Sequence, residues 1–108
     1  MPEQRQHPRL KIDRSIVFVG INHNNEVEVQ GIGRALDISP KGMMFESAEP
    51  IYVRKLTFRA SSDQNDSMEI NAQVIYSMPH SPGTYRTGVM FTGAEKAIEG
   101  FVAEMLKG

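Results

Sequence analysis

The hydrophobic pattern of this chain changes its period once, near residue 93. Before that point, short segments rich in β-branched and aromatic residues alternate with clusters of Asn, Asp, Ser, Pro and Gly, which is typical of strands joined by turns. After it, apolar residues recur every three or four positions and indicate one face of a helix: Ala97, Ile98, Phe101, Val102 and Met105. This pattern restricts the chain to an antiparallel β architecture followed by one amphipathic helix.

Six segments before the change of period have strand character. They cover residues 16–21, 27–37, 43–46, 52–59, 68–77 and 85–91. Because closing such a sheet removes its unpaired edges, we predict a mainly β fold, a small six-stranded antiparallel β-barrel with a C-terminal α-helix at about residues 93–107. The helix is expected over an open seam or end of the barrel. Thr92-Gly93-Ala94-Glu95 has the form of a capping box, and Gly31 and Gly33 suggest a bulge or a bend.

The first 13 residues differ in composition from the rest of the chain. They are polar and basic, and Pro8 disfavours helical backbone at His7. They also contain too little apolar surface to order themselves. We therefore predict a flexible N-terminal arm over residues 1–13, and the barrel with its helix over residues 14–108.

Composition argues against several classes of function. The formal net charge is −1 over 108 residues, so no global field draws the protein onto DNA or RNA. The chain has no cysteine, which excludes thiolate metal sites and fits a reducing cytoplasm. His7, His23 and His80 lack the spacing of metal ligands, and no Ser-His-Asp or paired-carboxylate set is visible. No apolar run has membrane-spanning length. We expect a cytoplasmic protein that is not an enzyme, holds no metal and does not insert into a membrane.

Two arginines stand four residues apart in the arm, in Arg5-Gln6-His7-Pro8-Arg9. Both are permanently charged, and each donates in a fork that fits a phosphate or a guanine edge. In an extended chain such residues face the same side at a separation of about 13 Å, so the pair could grip two groups of one ligand. The alternative is two solvated arginines on a mobile tail, and for an isolated R-x-x-x-R this alternative is the commoner one.

A polar turn separates the second and third strand segments, in Asp37-Ile38-Ser39-Pro40-Lys41-Gly42. Asp37 offers a carboxylate that can accept from the N1–H and N2–H groups of guanine, and Ser39 can bond a phosphate oxygen or a base. Gly42 allows a positive φ or a close approach of a ligand to the backbone. An ordinary hairpin turn accounts for the same residues, because Asp, Ser, Pro and Gly all favour turns.

Together the two motifs resemble those of the PilZ family, whose members bind cyclic di-GMP. R-x-x-x-R precedes the barrel pattern and D-x-S-x-x-G lies at the second turn between strands, as in that family. Residues 85–91 are similar to the family's sixth strand, in which a glycine precedes Val-x-Phe. The resemblance runs from Arg5 to the end of the chain, and no motif position is substituted.

The resemblance implies a bacterial receptor for cyclic di-GMP that needs no other cofactor and signals to a downstream protein. It implies that Arg5 and Arg9 contact phosphates and guanine edges. It also implies that Asp37 and Ser39 bond a guanine, while Gly42 leaves room for it. A chain with a single domain has no attached output, so the partner is expected to be another molecule.

Four further residues bear on this expectation. Gln4 stands where an arginine in the family favours two stacked nucleotides, so one bound molecule is expected. Arg86 is an additional candidate contact from the last strand, although a surface charge is the commoner role there. Lys11 and Arg14 add positive charge near the arm. We expect the ligand to draw the arm across the barrel mouth, near residues 37–42.

Other functions remain open. A protein-interaction module with the PilZ fold that binds no nucleotide is the main alternative, although such members usually lack the motif residues. A barrel for single-stranded nucleic acid needs a basic groove with exposed aromatic residues, whereas this chain is nearly neutral and its aromatics lie mostly within strands. A hydrolase or an isomerase on a small barrel lacks a visible catalytic set.

Overall fold

Six antiparallel strands close into a barrel in the computed structural model, which describes residues 9–60 and 68–107. The elements are β1 (Leu10–Ile21), β2 (Val27–Ile38), β3 (Gly42–Ser47), β4 (Lys55–Ala60), β5 (Glu69–Ser81), β6 (Thr84–Phe91) and the helix α1 (Glu95–Leu106). Around the barrel the strands follow the order β1-β2-β3-β6-β5-β4, and β4 pairs with β1 to close it. The predicted fold, a six-stranded antiparallel barrel with a C-terminal helix, is confirmed.

The interior of the barrel is filled by large apolar side chains. The rings of Phe18 and Phe45 lie 5.3 Å apart between centroids, and those of Phe45 and Phe58 lie 5.1 Å apart. All three phenylalanines are fully buried. Because a barrel of this size is just wide enough for its own side chains, a binding site for a small molecule belongs on the outer surface or the rim.

The helix α1 packs against the barrel through Phe101 and Met105, which are both buried. Phe101 meets Phe91 of β6 edge to face, with 5.8 Å between ring centroids. Arg14 of β1 donates from Nη1 to the carbonyl oxygen of Glu104 at 2.8 Å and to that of Met105 at 3.1 Å. These bonds satisfy carbonyls that the end of a helix leaves free, and they place a cation at its negative end.

The predicted capping box at the start of α1 is wrong. The N-cap is Ala94, whose backbone is extended and whose position has no side-chain capping bond. The backbone N–H of Thr92 donates instead to the carbonyl oxygen of Asn71 at 3.0 Å. Thr92, just after the end of β6, is therefore bonded to β5 and stands two residues before the N-cap. In the part of the chain that the structure describes, no helix combines the length and the apolar content needed to cross a membrane.

The first strand begins earlier than predicted. Leu10 and the residue after it pair with the last two residues of β2, and Ile12 packs against the core. Residues 10–13 therefore belong to the barrel and not to the predicted arm. The composition of this stretch is polar, so the sequence did not indicate a strand there, although its backbone pairs with β2. Residues 1–8, with Arg5, lie outside the described residues.

Three smaller predictions also differ from the structure. Gly31 and Gly33, which suggested a bulge or a bend, pair with β1 in regular register, so neither forms a bulge with that strand, and a bend there stays a prediction. β4 begins at Lys55 and not at Tyr52, because only from Lys55 onward does the chain pair with β1 and β5. β5 continues past the predicted stop to Ser81, and its turn into β6 contains Gly83 with φ 77°.

Candidate functional site

The side chain of Asp37 faces the outside of the barrel because β2 carries a bulge just before it. Gly33 and Ala35 are buried, and strict alternation would turn Asp37 inward as well. The register between β2 and β3 shifts between Ala35 and Asp37, and Ile38 becomes the next buried residue. The extra residue, Leu36, therefore moves the carboxylate to the outer face. Bulges of this kind often stand next to binding sites, where they redirect a side chain.

Arg9 and Asp37 meet at this surface. Nη1 of Arg9 donates to Oδ1 of Asp37 at 2.7 Å, although 28 positions separate the two residues. Both side chains remain partly exposed to solvent. Lys11 is the direct partner of Asp37 in the pairing of β1 with β2, which places a second cation beside the carboxylate. One residue from each sequence motif therefore contributes to a single ion pair on the barrel surface.

The hydroxyl of Ser39 holds the turn between β2 and β3 in shape. Its oxygen accepts hydrogen bonds from the backbone N–H groups of Lys41 at 3.1 Å and Gly42 at 3.3 Å. The backbone N–H of Ser39 donates to the carbonyl oxygen of Gly42 at 2.9 Å. Ser39 is buried. Since a hydroxyl can donate one bond while it accepts two, the side chain can organise the turn and still donate to a ligand.

Gly42 lies where the backbones of β3 and β6 come close together. A Cβ at this position would stand 2.1 Å from the carbonyl oxygen of Val89, a distance that no side chain can accept. The φ angle of Gly42 is not positive. The packing of β3 against β6 is therefore sufficient to require glycine at this position, whether or not a ligand also approaches.

A row of residues leads from Asp37 across the outer face. In the strand pairing, Asp37 is opposite Met44, Met44 is opposite Gly88, and Gly88 is opposite Tyr76. The ring of Tyr76 covers Gly88 so closely that an added Cβ would come within 2.4 Å of it. Tyr76 nevertheless remains 43% exposed. The surface thus has a charged end at Asp37 and an aromatic end at Tyr76.

Tyr76 was not identified from the sequence. It stands in β5 beside a register shift between Val74 and Tyr76, so its orientation could not be predicted by alternation. The signal that was present is Gly88, because an aromatic side chain often covers a glycine on the neighbouring strand.

Arg86 lies two residues from Gly88 along β6 and is held by a neighbour. Its Nε donates to Oε2 of Glu46 at 3.2 Å, across the pairing of β6 with β3. On the other side, Glu46 stands opposite Arg34, which binds Asp13 through two hydrogen bonds of 2.7 and 3.1 Å. Arg86 therefore belongs to a row of alternating charges beside the candidate site, and its contact with a ligand stays a prediction.

The structure brings Arg9 and Lys11 together with the 37–42 turn, as the motif pair suggested. Arg14, which the sequence offered as a further cation for the arm, is instead bonded to the end of α1. Arg5 lies outside the described residues. Among the described residues, no group of three His, Asp or Glu side chains is placed to hold a metal ion.

Solved structures of other proteins share this fold. The PilZ domain with c-di-GMP of YcgR from Escherichia coli superposes with a TM-score of 0.61 at 14% identity, over 95% of this chain and 92% of that chain. The inhibitor of motility MotI/DgrA of Bacillus subtilis gives 0.63 at 11% identity, over 95% of this chain and 51% of that chain. The K. pneumonia MrkH complex with c-di-GMP gives 0.65 at 14% identity, over 98% and 54%. At these identities the likeness shows the fold alone.

The chain spans about half the length of the last two of these proteins. No curated protein shows a significant match to the sequence. The family model of the PilZ domain, however, matches residues 3–106, a span that includes both motifs, all six strands and the helix. The chain belongs to the PilZ domain family.

Proposed function

We propose that this protein is a cytoplasmic receptor for cyclic di-GMP that acts by binding and passes the signal to a partner protein. The observation that carries the proposal is the contact between Arg9 and Asp37, which joins the two motifs at one exposed place on the barrel. Two proteins of the same fold, YcgR and MrkH, are described with c-di-GMP bound. The ligand presents two guanines and two phosphodiesters, which match the donors and acceptors of this surface.

In the proposed complex each motif residue has a distinct partner. The guanidinium of Arg9, with that of Arg5, donates to phosphate oxygens or to the O6 and N7 edge of a guanine. The carboxylate of Asp37 accepts from the N1–H and N2–H groups of a guanine, and the hydroxyl of Ser39 donates. The ion pair between Arg9 and Asp37 must open for this to happen. Because exposed ion pairs contribute only about 0–1 kcal/mol, opening it costs little.

We place the second base of the ligand toward Tyr76. Three strand spacings separate β2 from β5, a distance of about 14 Å, which is the scale of a dinucleotide. An exposed aromatic ring provides a stacking face worth about 1–3 kcal/mol per base. Met44 and Gly88 lie between the two ends and form a floor without bulky polar groups.

Binding would also reposition the segment that carries Arg5. We expect the two arginines to draw residues 5–9 across the 37–42 turn, where the phosphates lie. The surface so formed differs from that of the free protein, and a partner can recognise the difference. Part of the binding free energy is spent on this ordering.

A second candidate function is a protein-interaction module that binds no nucleotide. The observation in its favour is that the motif residues already have roles within the protein. Ser39 organises its turn, Gly42 is required by β6, and Asp37 has Arg9 as its partner. A family motif that persists for structural reasons alone would look the same.

Isothermal titration calorimetry separates the two functions. We expect cyclic di-GMP to bind with micromolar or tighter affinity, and GMP and cyclic AMP to bind far more weakly. Arg9→Ala should weaken binding, while Arg59→Ala should not. Arg59 is a matched control because it also forms an exposed ion pair, with Glu69 at 2.6 Å, on the distant strand β4. Absence of heat and of any shift in melting temperature at saturating cyclic di-GMP would favour the interaction module.

A further inference from the structure

A groove of about 790 Å³ lies between α1 and the turn that carries Pro40 and Lys41. Much of its lining is apolar and open to solvent. Met90 of β6 is 44% exposed and Leu106 of α1 is 42% exposed. Large apolar side chains grouped at one concave surface mark an interaction site more often than scattered ones do.

The wall that α1 contributes is a regular apolar stripe. Ile98, Val102 and Leu106 follow one another at intervals of four residues and all line the groove. At a rise of 1.5 Å per residue the stripe is about 12 Å long, or roughly two helical turns. This spacing complements the apolar face of another amphipathic helix, whose side chains recur at three and four residues.

The charges at the groove indicate what kind of helix fits. Glu95 and Glu99 stand four residues apart on α1 and line the groove together with Lys41. α1 itself contains three glutamates and one lysine. A second copy of α1 would therefore bring like charges together, which is unfavourable at close range. A helix with lysine or arginine beside its apolar face would pair with the two glutamates.

The groove shares a structural element with the proposed ligand site. The hydroxyl of Ser39 accepts from the N–H of Lys41, and the carbonyl oxygen of Lys41 accepts from the N–H of Phe91 at 2.9 Å. Phe91 lines the groove and packs against Phe101 of α1. A ligand that engages Ser39 would therefore act on a turn that forms one wall of the groove.

We propose that this groove binds a cationic amphipathic helix of a partner protein, and that cyclic di-GMP bound at the 37–42 turn raises the affinity of the groove. The docking follows from the groove alone, whereas its regulation rests on the proposed function. The affinity rises because a nucleotide bonded to Ser39 favours the conformation of the turn in which Lys41 forms one wall of the groove.

The test uses a fluorescein-labelled model peptide of leucine and lysine, with leucine at helical spacing, and a twin in which glutamate replaces every lysine. The full chain is titrated into each peptide and fluorescence anisotropy is followed. We expect the lysine peptide to bind at least about tenfold more tightly than the glutamate peptide, because charge complementarity selects between them. When the lysine peptide is added to ¹⁵N-labelled protein, the changes in amide chemical shift should cluster at Lys41, Met90 and residues 95–106.

Groove variants give the second part of the test. Met90→Arg and Leu106→Arg should each weaken the lysine peptide by about tenfold or more, since truncating or reversing a central apolar contact removes much of the binding energy. Ile32→Arg is the matched control, because Ile32 is a strongly exposed apolar residue of β2 outside the groove. Glu95→Gln with Glu99→Gln should weaken binding of the lysine peptide and strengthen that of the glutamate peptide, because the substitutions remove an attraction in the first case and a repulsion in the second. Melting curves confirm that each variant is folded. If Leu106→Arg does not fold, Met90→Arg alone is enough to test the groove.

Five outcomes would overturn parts of this proposal or the function on which its regulation rests. Equal binding of the two peptides, or amide shifts centred away from the groove, would reject the docking site. Self-association that Met90→Arg abolishes would assign the groove to a second copy of the chain. The regulation is rejected, and the docking stands, if calorimetry shows that cyclic di-GMP is bound but the affinity for the lysine peptide rises by less than about fivefold. About fivefold is the low end of known couplings between two binding sites. No binding of cyclic di-GMP would reject the proposed function, while the titration without nucleotide still decides the docking.

Discussion

The guanidinium of Arg14 donates to the carbonyl oxygen of Glu104 at 2.8 Å and thereby joins the start of β1 to the end of α1. Arg9, five residues earlier on the same stretch of chain, reaches Asp37 on the outer surface. Two arginines five positions apart therefore have different contacts. One holds the helix to the barrel, and we propose that the other holds a ligand.

Removing the arginines that we propose contact the ligand should affect binding and leave stability nearly unchanged. Arg5→Ala and Arg9→Ala each remove charge-assisted hydrogen bonds worth about 1.5–3 kcal/mol, which predicts a loss of affinity for cyclic di-GMP of roughly tenfold to hundredfold. The lost ion pair with Asp37 should lower the free energy of unfolding by no more than about 1 kcal/mol. Calorimetry and melting curves measure the two effects. A steep fall of the melting temperature in unliganded Arg9→Ala would show that the residue is structural.

Removing Arg14, which bonds the end of α1, should lower stability and leave ligand binding nearly unchanged. Arg14→Met keeps an apolar stem and deletes the donors to the two terminal carbonyls of α1, so we expect the free energy of unfolding to fall by about 2 kcal/mol. The affinity of the folded variant for cyclic di-GMP should stay within about threefold of the original, since Arg14 bonds α1 and shares no bonding partner with Arg9. Urea unfolding and calorimetry provide the measurements. A variant with full stability and poor binding would place Arg14 in the ligand site.

Asp37→Asn tests the carboxylate without changing the shape of the turn. The amide oxygen can still accept from guanine, but the negative charge is gone, so we expect a moderate loss of affinity, smaller than that of Arg9→Ala and within about tenfold. Calorimetry at two salt concentrations measures the loss and its electrostatic share. An unchanged affinity would mean that this side chain does not meet the ligand.

Gly42→Ala should lower the stability of the free protein and not only its affinity for the ligand. The new Cβ would collide with the carbonyl oxygen of Val89, and overpacking of this kind typically costs about 1–3 kcal/mol. The melting temperature of the free protein should therefore fall, together with the affinity. If Gly42→Ala melts like the original protein but no longer binds cyclic di-GMP, the glycine serves the ligand and not the contact with β6.

Tyr76 is expected to stack on a base of the ligand. Tyr76→Ala should lower the affinity for cyclic di-GMP by about tenfold, and Tyr76→Phe should preserve it, because stacking needs the ring and not the hydroxyl. Tyr52→Ala is the control, since Tyr52 is even more exposed and belongs to neither β5 nor β6. Equal affinities of Tyr76→Ala and the original protein would remove the aromatic end from the site.

Local patterns in the sequence were sufficient to predict which secondary-structure elements form and in what order. β-branched and aromatic composition identified the strand at residues 16–21, and alternation identified the strand that begins at Val27. Helical periodicity included the residues of α1 that are buried, Phe101 and Met105. The fold followed, because six short strands with turns between them have few other ways to cover their edges.

The orientation of site residues depends on contacts that no local pattern contains. Asp37 faces outward because of a bulge that depends on the pairing of β2 with its neighbours. The acceptors of Arg14 lie 90 and 91 positions away along the chain. The beginning of β1 looks like a polar tail until its partners at the end of β2 are known. Each of these features is created by a distant partner, so only the folded chain reveals it.

The bulge at Leu36 makes the site depend on how β2 pairs with its neighbours and not only on the identity of its residues. If β2 kept Leu36 but paired with β3 without the bulge, strict alternation would turn Asp37 into the phenylalanine core and Ile38 into water. An ionised carboxylate cannot be accommodated there without a partner. Deletion of Leu36 together with the bulge would, by the same alternation, leave Asp37 outside and Ile38 inside. A relative could therefore keep every letter of D-x-S-x-x-G and still lose this surface if the residues before the motif paired regularly. Sequence comparisons in this family should weigh the number of residues between the last buried position of the second strand and the motif as heavily as the motif itself.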